Sequence, residues 1–476
     1  MNEKRTVSTV SEVINDFLKR KNLIQEESPW ALGESTHGGI GVFATRDIES
    51  GEEVFKDYPV IIGPRTTPNN PVFCMACYRN TKPVPCLENC GLPICSAKCK
   101  EKHKAECELF KKKRGEVTNH INEKLFKFST PLRSLLLDEN DRKVVAYLKY
   151  HEGAIHGFEI DKLQKMGMKF EEPEEKYLRR VCCVMDANAF EVIVGNENNY
   201  SNLRGLYPLG SLLNHSCVPN MMHVFDKNQL MVARACMKIK KGEELCHSYA
   251  RAIWGTPTRM YHLVRTKHFI CRCPRCCDPK EFGSYMSAFV CKNCNGNVIP
   301  KHLFNLKSDW ICEDCHVEVK REEVANLMLT LGSVLSSFDG ENIEVMLKFL
   351  SGKLRKLVTV NHEMVVELKY KIVWIIGHQT QYKWNDIDDN LLNLKKSICE
   401  ELLDLLRILR LGECKLKGLL LYELYLCLKE GMRRDSLTLG NEIEIASTLK
   451  QAANILKEDV CAPVAVQNIS QEMKSI

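Results

Sequence analysis

The chain has 476 residues, 44% apolar and 27% charged, with a formal net charge of +6 and 24 cysteines. That length accommodates roughly two to four domains with sizeable cores, and the balance of apolar and charged residues excludes a disordered or fibrous chain. The charged N-terminus MNEKRTVSTVSEVINDFLKRKNL lacks the apolar core of a secretion signal, and the most apolar later run, LKGLLLYELYLCLKEG, is broken by Glu423 and too short for a bilayer.

An intracellular chain with no membrane association is therefore expected, and in a reducing compartment clustered thiols point to metal rather than to disulfides. From the N-terminus, STHGGIGVFATRDIESGEEVFKDYPVIIG (residues 35–63) alternates glycine-rich turns with β-branched strands. Its Gly39-Ile40-Gly41 triplet is a weak motif alone, because glycine turns are common. Residues 74–107 then read Cys74-x2-Cys77-x8-Cys86-x3-Cys90-x4-Cys95-x3-Cys99-x3-His103-x3-Cys107, eight ligands in 34 residues and enough for two tetrahedral sites. The i, i+4 recurrence of Cys95, Cys99, His103 and Cys107 predicts one helix face. So short a segment has little apolar material, and metal must supply most of its stability. Lys98, Lys100, Lys102, Lys104 and the KKKR at 111–114 form a basic cluster, read first as a solvated face and second as a contact for nucleic acid or an acidic partner.

Helical periodicity marks PLRSLLLDENDRKVVAYLKYHEG and the start of EEPEEKYLRRVCCVMDANAF, both within 115–180 and its border. NAFEVIV (188–194) predicts a strand, and QLMVARACMKIKKGEEL (229–245) a hairpin and turn. Between them, GLYPLGSLLNHSCVPN places an amide, an imidazole, a hydroxyl and a thiol side by side after an apolar run. CRCPRCC (271–277) supplies Cys271, Cys273 and Cys276 to a third site that needs a fourth ligand, for which Cys277 is the local candidate and Cys217 the distant one. Cys291-x2-Cys294-x17-Cys312-x2-Cys315 is a pair of zinc knuckles; redox CxxC chemistry usually comes as a single motif beside a βαβ unit. With fifteen ligand thiols ionised and four zinc ions added, the formal +6 becomes about −1, so bulk basicity gives no argument for nucleic acid. Residues 321–476 look almost wholly helical, in amphipathic pairs compatible with a repeat array, and Cys399 and Cys427 read as small core residues.

In combination, GGIGVFATRDI, NAF, GSLLNHSCVPN, ELCHSYA and CRCPRC, with the eight-ligand finger inserted after the first strands, resemble the SET- and MYND-domain (SMYD) protein-lysine methyltransferases over roughly residues 30–320 and beyond. The resemblance implies an α+β multidomain fold. Residues 1–73 form an N-terminal helix and the first part of a SET domain, 74–107 a MYND zinc finger, and 108–180 a helical insert. Core SET elements follow at 181–256, a post-SET zinc region at 257–280, a zinc ribbon-like segment at 281–320, and a tetratricopeptide-like all-α domain at 321–476.

It further implies a cross-braced finger, with one zinc on Cys74, Cys77, Cys95 and Cys99 and another on Cys86, Cys90, His103 and Cys107. Cys217 completes the site of Cys271, Cys273 and Cys276 through a pseudoknot, leaving Cys277 spare. S-adenosylmethionine then faces Gly39, Ile40, Gly41, Asn188, Asn214 and His215. Tyr249 lies beside the transferring methyl, and Phe269 lines the lysine channel. Two departures stand out: Lys267 occupies the place of a usual channel tyrosine, and Gly38 and Ile40 stand where relatives carry polar or basic cofactor contacts. The implied activity is protein-lysine N-methylation on histone or non-histone substrates, with a scaffold or transcriptional co-regulator as the alternative. Implied partners are a lysine-bearing protein and a proline-rich or other peptide at the finger, for a monomer in nucleus or cytoplasm, with nucleic acid only weakly supported.

Overall fold

Thr6 caps the first helix, α1 (Val7–Arg20), by accepting from the Thr9 N–H, and Val10, Ile14, Phe17 and Leu18 form its buried stripe. The computed structural model describes residues 5–24, 26–67, 69–115, 119–151, 157–196, 199–338, 342–434 and 441–472. After α1 come β1 (Trp30–Glu34), β2 (Ile40–Ala44), β3 (Glu53–Asp57) and β4 (Ile61–Pro64), separated by the predicted glycine turns. The cysteine-rich finger contributes β5 (Val84–Pro85), β6 (Pro93–Ile94) and α2 (Ala97–Arg114). Four helices follow: α3 (Glu123–Phe128), α4 (Glu139–Tyr147), α5 (Phe158–Lys165) and α6 (Glu172–Asn188). The chain then returns to strands with β7 (Phe190–Asn196), β8 (Asn199–Leu206), β9 (Asn214–His215), β10 (Met221–Phe225), β11 (Met231–Ala235) and β12 (Glu244–His247).

These strands build three small sheets in the orders β1-β2-β12-β9, β10-β11-β3 and β4-β8-β7. All their pairings are antiparallel except one: β9 lies parallel to β12, with Asn214 opposite Cys246 and His215 opposite His247. That parallel pair carries the amide and imidazole of the NHSC segment to the strand that leads into Tyr249. Beyond α7 (Thr256–Lys267), a four-stranded ribbon is formed by β13 (Phe289–Val290), β14 (Asn297–Pro300), β15 (Trp310–Cys312) and β16 (Glu318–Val319). The rest is helical: α8 (Arg321–Ser337), α9 (Ile343–Ser351), α10 (Glu363–Ile375), α11 (Asp389–Ile408), α12 (Lys415–Arg433), α13 (Asn441–Leu456) and α14 (Val464–Glu472).

The strands of the three small sheets, the finger and the helices α1 and α3–α6 share one apolar core, and the ribbon shares a second with α8–α12. The C-terminal helical region seats on β10 and the end of β11 through backbone as well as side chains. Val460 N–H donates to Phe225 O at 2.9 Å and Glu413 N–H to Cys236 O at 2.6 Å. At Gly412, φ is +59° and an added Cβ would lie 2.2 Å from Cys236 O, so no side chain fits that junction.

Two expectations are corrected. Cys95 is not on the helix with Cys99, His103 and Cys107: Ser96 accepts from the Cys99 N–H, which starts the helix at Ala97 and leaves Cys95 in the extended approach. Asn188 does not open the following strand but is the last residue of α6 (Glu172–Asn188). The basic cluster is also partly neutralised, because Lys100 and Lys111 pair with Glu88 and Lys113 with Glu174.

Asp57, at the end of β3, positions the turn that leads into β9. Its Oδ2 accepts from the N–H groups of Leu209 (2.7 Å) and Gly210 (2.9 Å), while burial raises its pKa to about 7 against those bonds. Between about pH 4 and pH 7 the folded carboxyl therefore keeps a proton that the unfolded one has lost. The folded state binds more protons, and this contribution to stability falls as pH rises through that window. Urea unfolding from pH 5 to 7 should show native stability falling relative to Asp57→Asn by up to about 1.4 kcal/mol per pH unit; parallel pH profiles would contradict this.

Candidate cofactor and metal sites

Four groups of four ligand atoms converge, each with its donors within 4.8 Å of one another: Cys74, Cys77, Cys95, Cys99; Cys86, Cys90, His103, Cys107; Cys217, Cys271, Cys273, Cys276; and Cys291, Cys294, Cys312, Cys315. The nearest sulfur–sulfur separations recorded within them run from 3.5 to 3.9 Å. A disulfide needs about 2.05 Å. A tetrahedron of thiolates about 2.3 Å from zinc has edges near 3.8 Å, so the geometry suits a shared metal. Cys217 thus joins the downstream trio, and Cys277 is exposed, its thiol directed to Arg272 O.

Behind two of these groups stand buried charges that the spacing gave no sign of. At the third, Arg259 donates from Nε to Cys217 Sγ (3.1 Å) and from Nη2 to Cys276 Sγ (3.5 Å). Its Nη1 meets Glu281 at 2.9 Å, and Arg275 Nε meets the same carboxylate at 2.9 Å. Burial would raise Glu281, but Arg275 and Arg259 outweigh it and hold its carboxyl down at about 2. In the finger, His103 has Nε2 toward Cys90 (3.2 Å) and Nδ1 on Glu106 (2.8 Å), and Glu106 in turn accepts from Arg133 Nε (2.8 Å). A carboxylate on the far imidazole nitrogen fixes the ring for ligation.

Beside the third group lies a cavity of about 350 Å³, within the range of cofactor pockets. Ile40, Asn188, Asn214, His215, Tyr249 and Phe269 all line it. Gly39 and Gly41 do not; Gly38 lines it in their place. The glycine at 41 serves a neighbour instead: a Cβ there would lie 2.3 Å from Glu244 Oε1 and 3.1 Å from Asn214 Nδ2. Glu244 accepts from Asn214 Nδ2 (2.7 Å) and from Ser35 Oγ (2.9 Å), which fixes the amide and leaves its Oδ1 as the acceptor for a ligand. His215 is committed within the protein, because Nδ1 accepts from the Tyr249 N–H (2.9 Å) and Nε2 faces Cys217 Sγ (3.2 Å). It joins metal group and cavity, and its ring packs beside Tyr249 (5.1 Å between ring centres) and Phe269 (5.7 Å).

Sequence reasoning missed Arg5 and Lys149, which also line the cavity; Arg5 Nε is anchored on Tyr147 O at 2.8 Å. Among the described residues, no carboxylate appears in the lining. Cations beside neutral amides and apolar side chains suit a nucleoside-bearing amino acid, whose own carboxylate needs a cation. A lone charge such as Arg5 has no sequence periodicity to betray it.

A second cavity, about 520 Å³, shares Ala187, Asn188, Ser211, Tyr249 and Lys267 with the first. Its other side is aromatic: Phe190 stacks on His247 (5.3 Å between ring centres), His247 meets Tyr249 edge-on (4.8 Å), and Trp254 meets His262 (5.3 Å). Burial lowers His223 to about 4 and takes His247 well below the ordinary imidazole value, so these rings are neutral at pH 7. Tyr249 donates its hydroxyl to Leu213 O at 2.7 Å, and burial raises its pKa, keeping the phenol protonated. Lys267 does not turn to solvent. Its Nζ donates to Ala187 O (2.7 Å) at the end of α6 and sits 5.4 Å from the Tyr249 ring centre.

Comparison with known proteins adds independent support. Residues 39–250 match the SET domain family model. The chain is 30% identical over 428 residues to SET domain-containing protein SmydA-8, isoform B, of Drosophila melanogaster, covering 87% of this chain and 94% of that one. It is 25% identical to Histone-lysine N-methyltransferase ASHR1 of Arabidopsis thaliana (62% of this chain, 66% of that one) and 26% identical to Histone-lysine N-methyltransferase SMYD3 of Mus musculus (50% and 59%). Among the described residues, no helix is long and apolar enough to cross a membrane.

If the four groups each hold one ion, elemental analysis of the purified protein should give about four zinc per chain, and Cys217→Ser about three. A native zinc content unchanged by that substitution would exclude Cys217 as a ligand.

Proposed function

Because the chain belongs to the SMYD family of SET-domain proteins, as a SmydA-like member, we propose that it is an S-adenosylmethionine-dependent protein-lysine N-methyltransferase. One observation carries the reading: two cavities meet at a common wall containing Tyr249. A two-substrate transfer needs such a layout, with each reactant entering from its own side and the reacting atoms held in line.

In this reading the smaller cavity takes the cofactor. Arg5 and Lys149 supply cations for its carboxylate, while Asn214, fixed by Glu244, offers an amide acceptor. Bound S-adenosylmethionine supplies a methyl already activated on a sulfonium. The protein's work is then positioning and desolvation. Tyr249, with its proton on Leu213 O, presents its oxygen lone pairs to the junction and favours developing positive charge there. A substrate lysine, with an ordinary pKa of about 10.4, loses its proton more readily among Phe190, Trp254 and the neutral imidazoles than in water. Arg251, in the lining of the larger cavity, pairs with Glu367 on α10 at 3.6 Å and so ties that wall to the C-terminal helices.

The proposal extends to four structural zinc ions and to a protein substrate in the nucleus or cytoplasm. The non-catalytic alternative is favoured by one specific observation, the Lys267 side chain at the junction.

Incubation with methyl-labelled cofactor, histones and a cell lysate should give labelled protein. Tyr249→Phe should lower the rate at least about tenfold, equivalent to about 1.4 kcal/mol of transition-state stabilisation, without loss of cofactor binding. Asn214→Ala should instead weaken cofactor binding about tenfold by calorimetry. Cofactor binding with no label on any protein would favour the scaffold.

A further inference from the structure

We infer that Lys267 is itself a methyl acceptor, methylated in cis by the chain that carries it. This inference rests on the methyltransferase reading above and adds an acceptor to it. Among the described residues lining the two cavities, Lys267 is the one lysine that borders both; Lys149 lines only the smaller. Its Nζ lies 5.4 Å from the centre of the Tyr249 ring, at the wall where any acceptor amine must arrive.

The surroundings prepare the amine for attack. A neutral lysine has two N–H bonds and one lone pair. Ala187 O (2.7 Å) and Asp186 O (3.5 Å), at the end of α6, are placed to accept the two N–H bonds, which leaves the lone pair turned away from the helix end. Burial lowers the basicity of Lys267, against a smaller opposing effect of Asp186, and so increases the neutral fraction. The backbone is held as well: Lys267 ends α7, His268 is left-handed at φ 60°, and Phe269 packs edge-on against Tyr249 at 6.4 Å. An amine tethered this way needs no bimolecular encounter.

In the step itself, the Nζ lone pair bonds to the methyl carbon of S-adenosylmethionine. The methyl–sulfur bond breaks with its electron pair going to sulfur, giving S-adenosylhomocysteine, and the Nζ proton is released to water in the larger cavity. Charge and atoms balance without another reactant.

The test uses the full-length chain with trideuteromethyl-labelled cofactor, followed by peptide mass spectrometry, calorimetry of cofactor binding, and an added histone and lysate mixture as external acceptor. The peptide containing Lys267 is also measured in the protein as isolated, before cofactor is added. The expected result is methyl on Lys267, already present or acquired at a rate first order in protein, and absent at this position in Lys267→Arg. Label growing with the square of protein concentration would overturn the cis assignment. If cofactor binds and the external proteins are labelled while Lys267 stays unmodified in both samples, the inference falls and the methyltransferase reading stands. If cofactor does not bind at all, both fall.

Discussion

The architecture turns on the sulfur of Cys217, which meets Cys271 and Cys276 at 3.9 and 3.5 Å across more than fifty residues of intervening chain. Four thiolates around one zinc carry a formal charge of −2, an expensive charge to bury. Arg259 meets it directly, and Arg275 and Glu281 complete a buried net of alternating sign. Burial of that kind contributes little net stability by itself, yet removal of one member strands the others. The result is a rigid joint that fixes β9 against β12 and sets His215 and Asn214 at the edge of the cofactor-sized cavity.

The finger is coupled to the SET strands by a similar device. Arg133, from the helical insert, donates to Glu106 behind His103, to Tyr78 Oη, to Met75 O and to Ile62 O on β4. One guanidinium therefore touches a metal ligand's carboxylate partner, the finger backbone and the central fold. The finger has few apolar residues to dock with, and this fully used fork of donors supplies direction as well as energy.

Legibility from sequence followed the physics of each feature. Fifteen of the metal-ligand candidates were readable because tetrahedral coordination demands short, repeated spacings, whereas Cys217 and the division of the finger's eight into two sites came only through resemblance; the structure gathers these side chains into four groups of four. The cofactor-side residues Asn214, His215 and Tyr249 were readable only through resemblance, since their juxtaposition depends on one parallel strand pair. Arg5, Glu244, Arg259 and Glu281 left no trace, because isolated long-range polar partners have neither period nor neighbourly spacing. The glycine motif gave no hint that Gly41 leaves room for Glu244. Cys95 was placed on a helix by its i, i+4 interval, but the Ser96 cap starts the helix two residues later.

His215 stands with one ring nitrogen toward a metal-group sulfur and the other on the backbone of Tyr249. With a metal in the third group and a ligand in the cavity, these two contacts would make the occupancy of the neighbouring sites mutually dependent. A chelating agent that strips the third metal group would lower apparent affinity for the nucleoside ligand without ever entering its cavity. In a kinetic assay it would pass for a competitor.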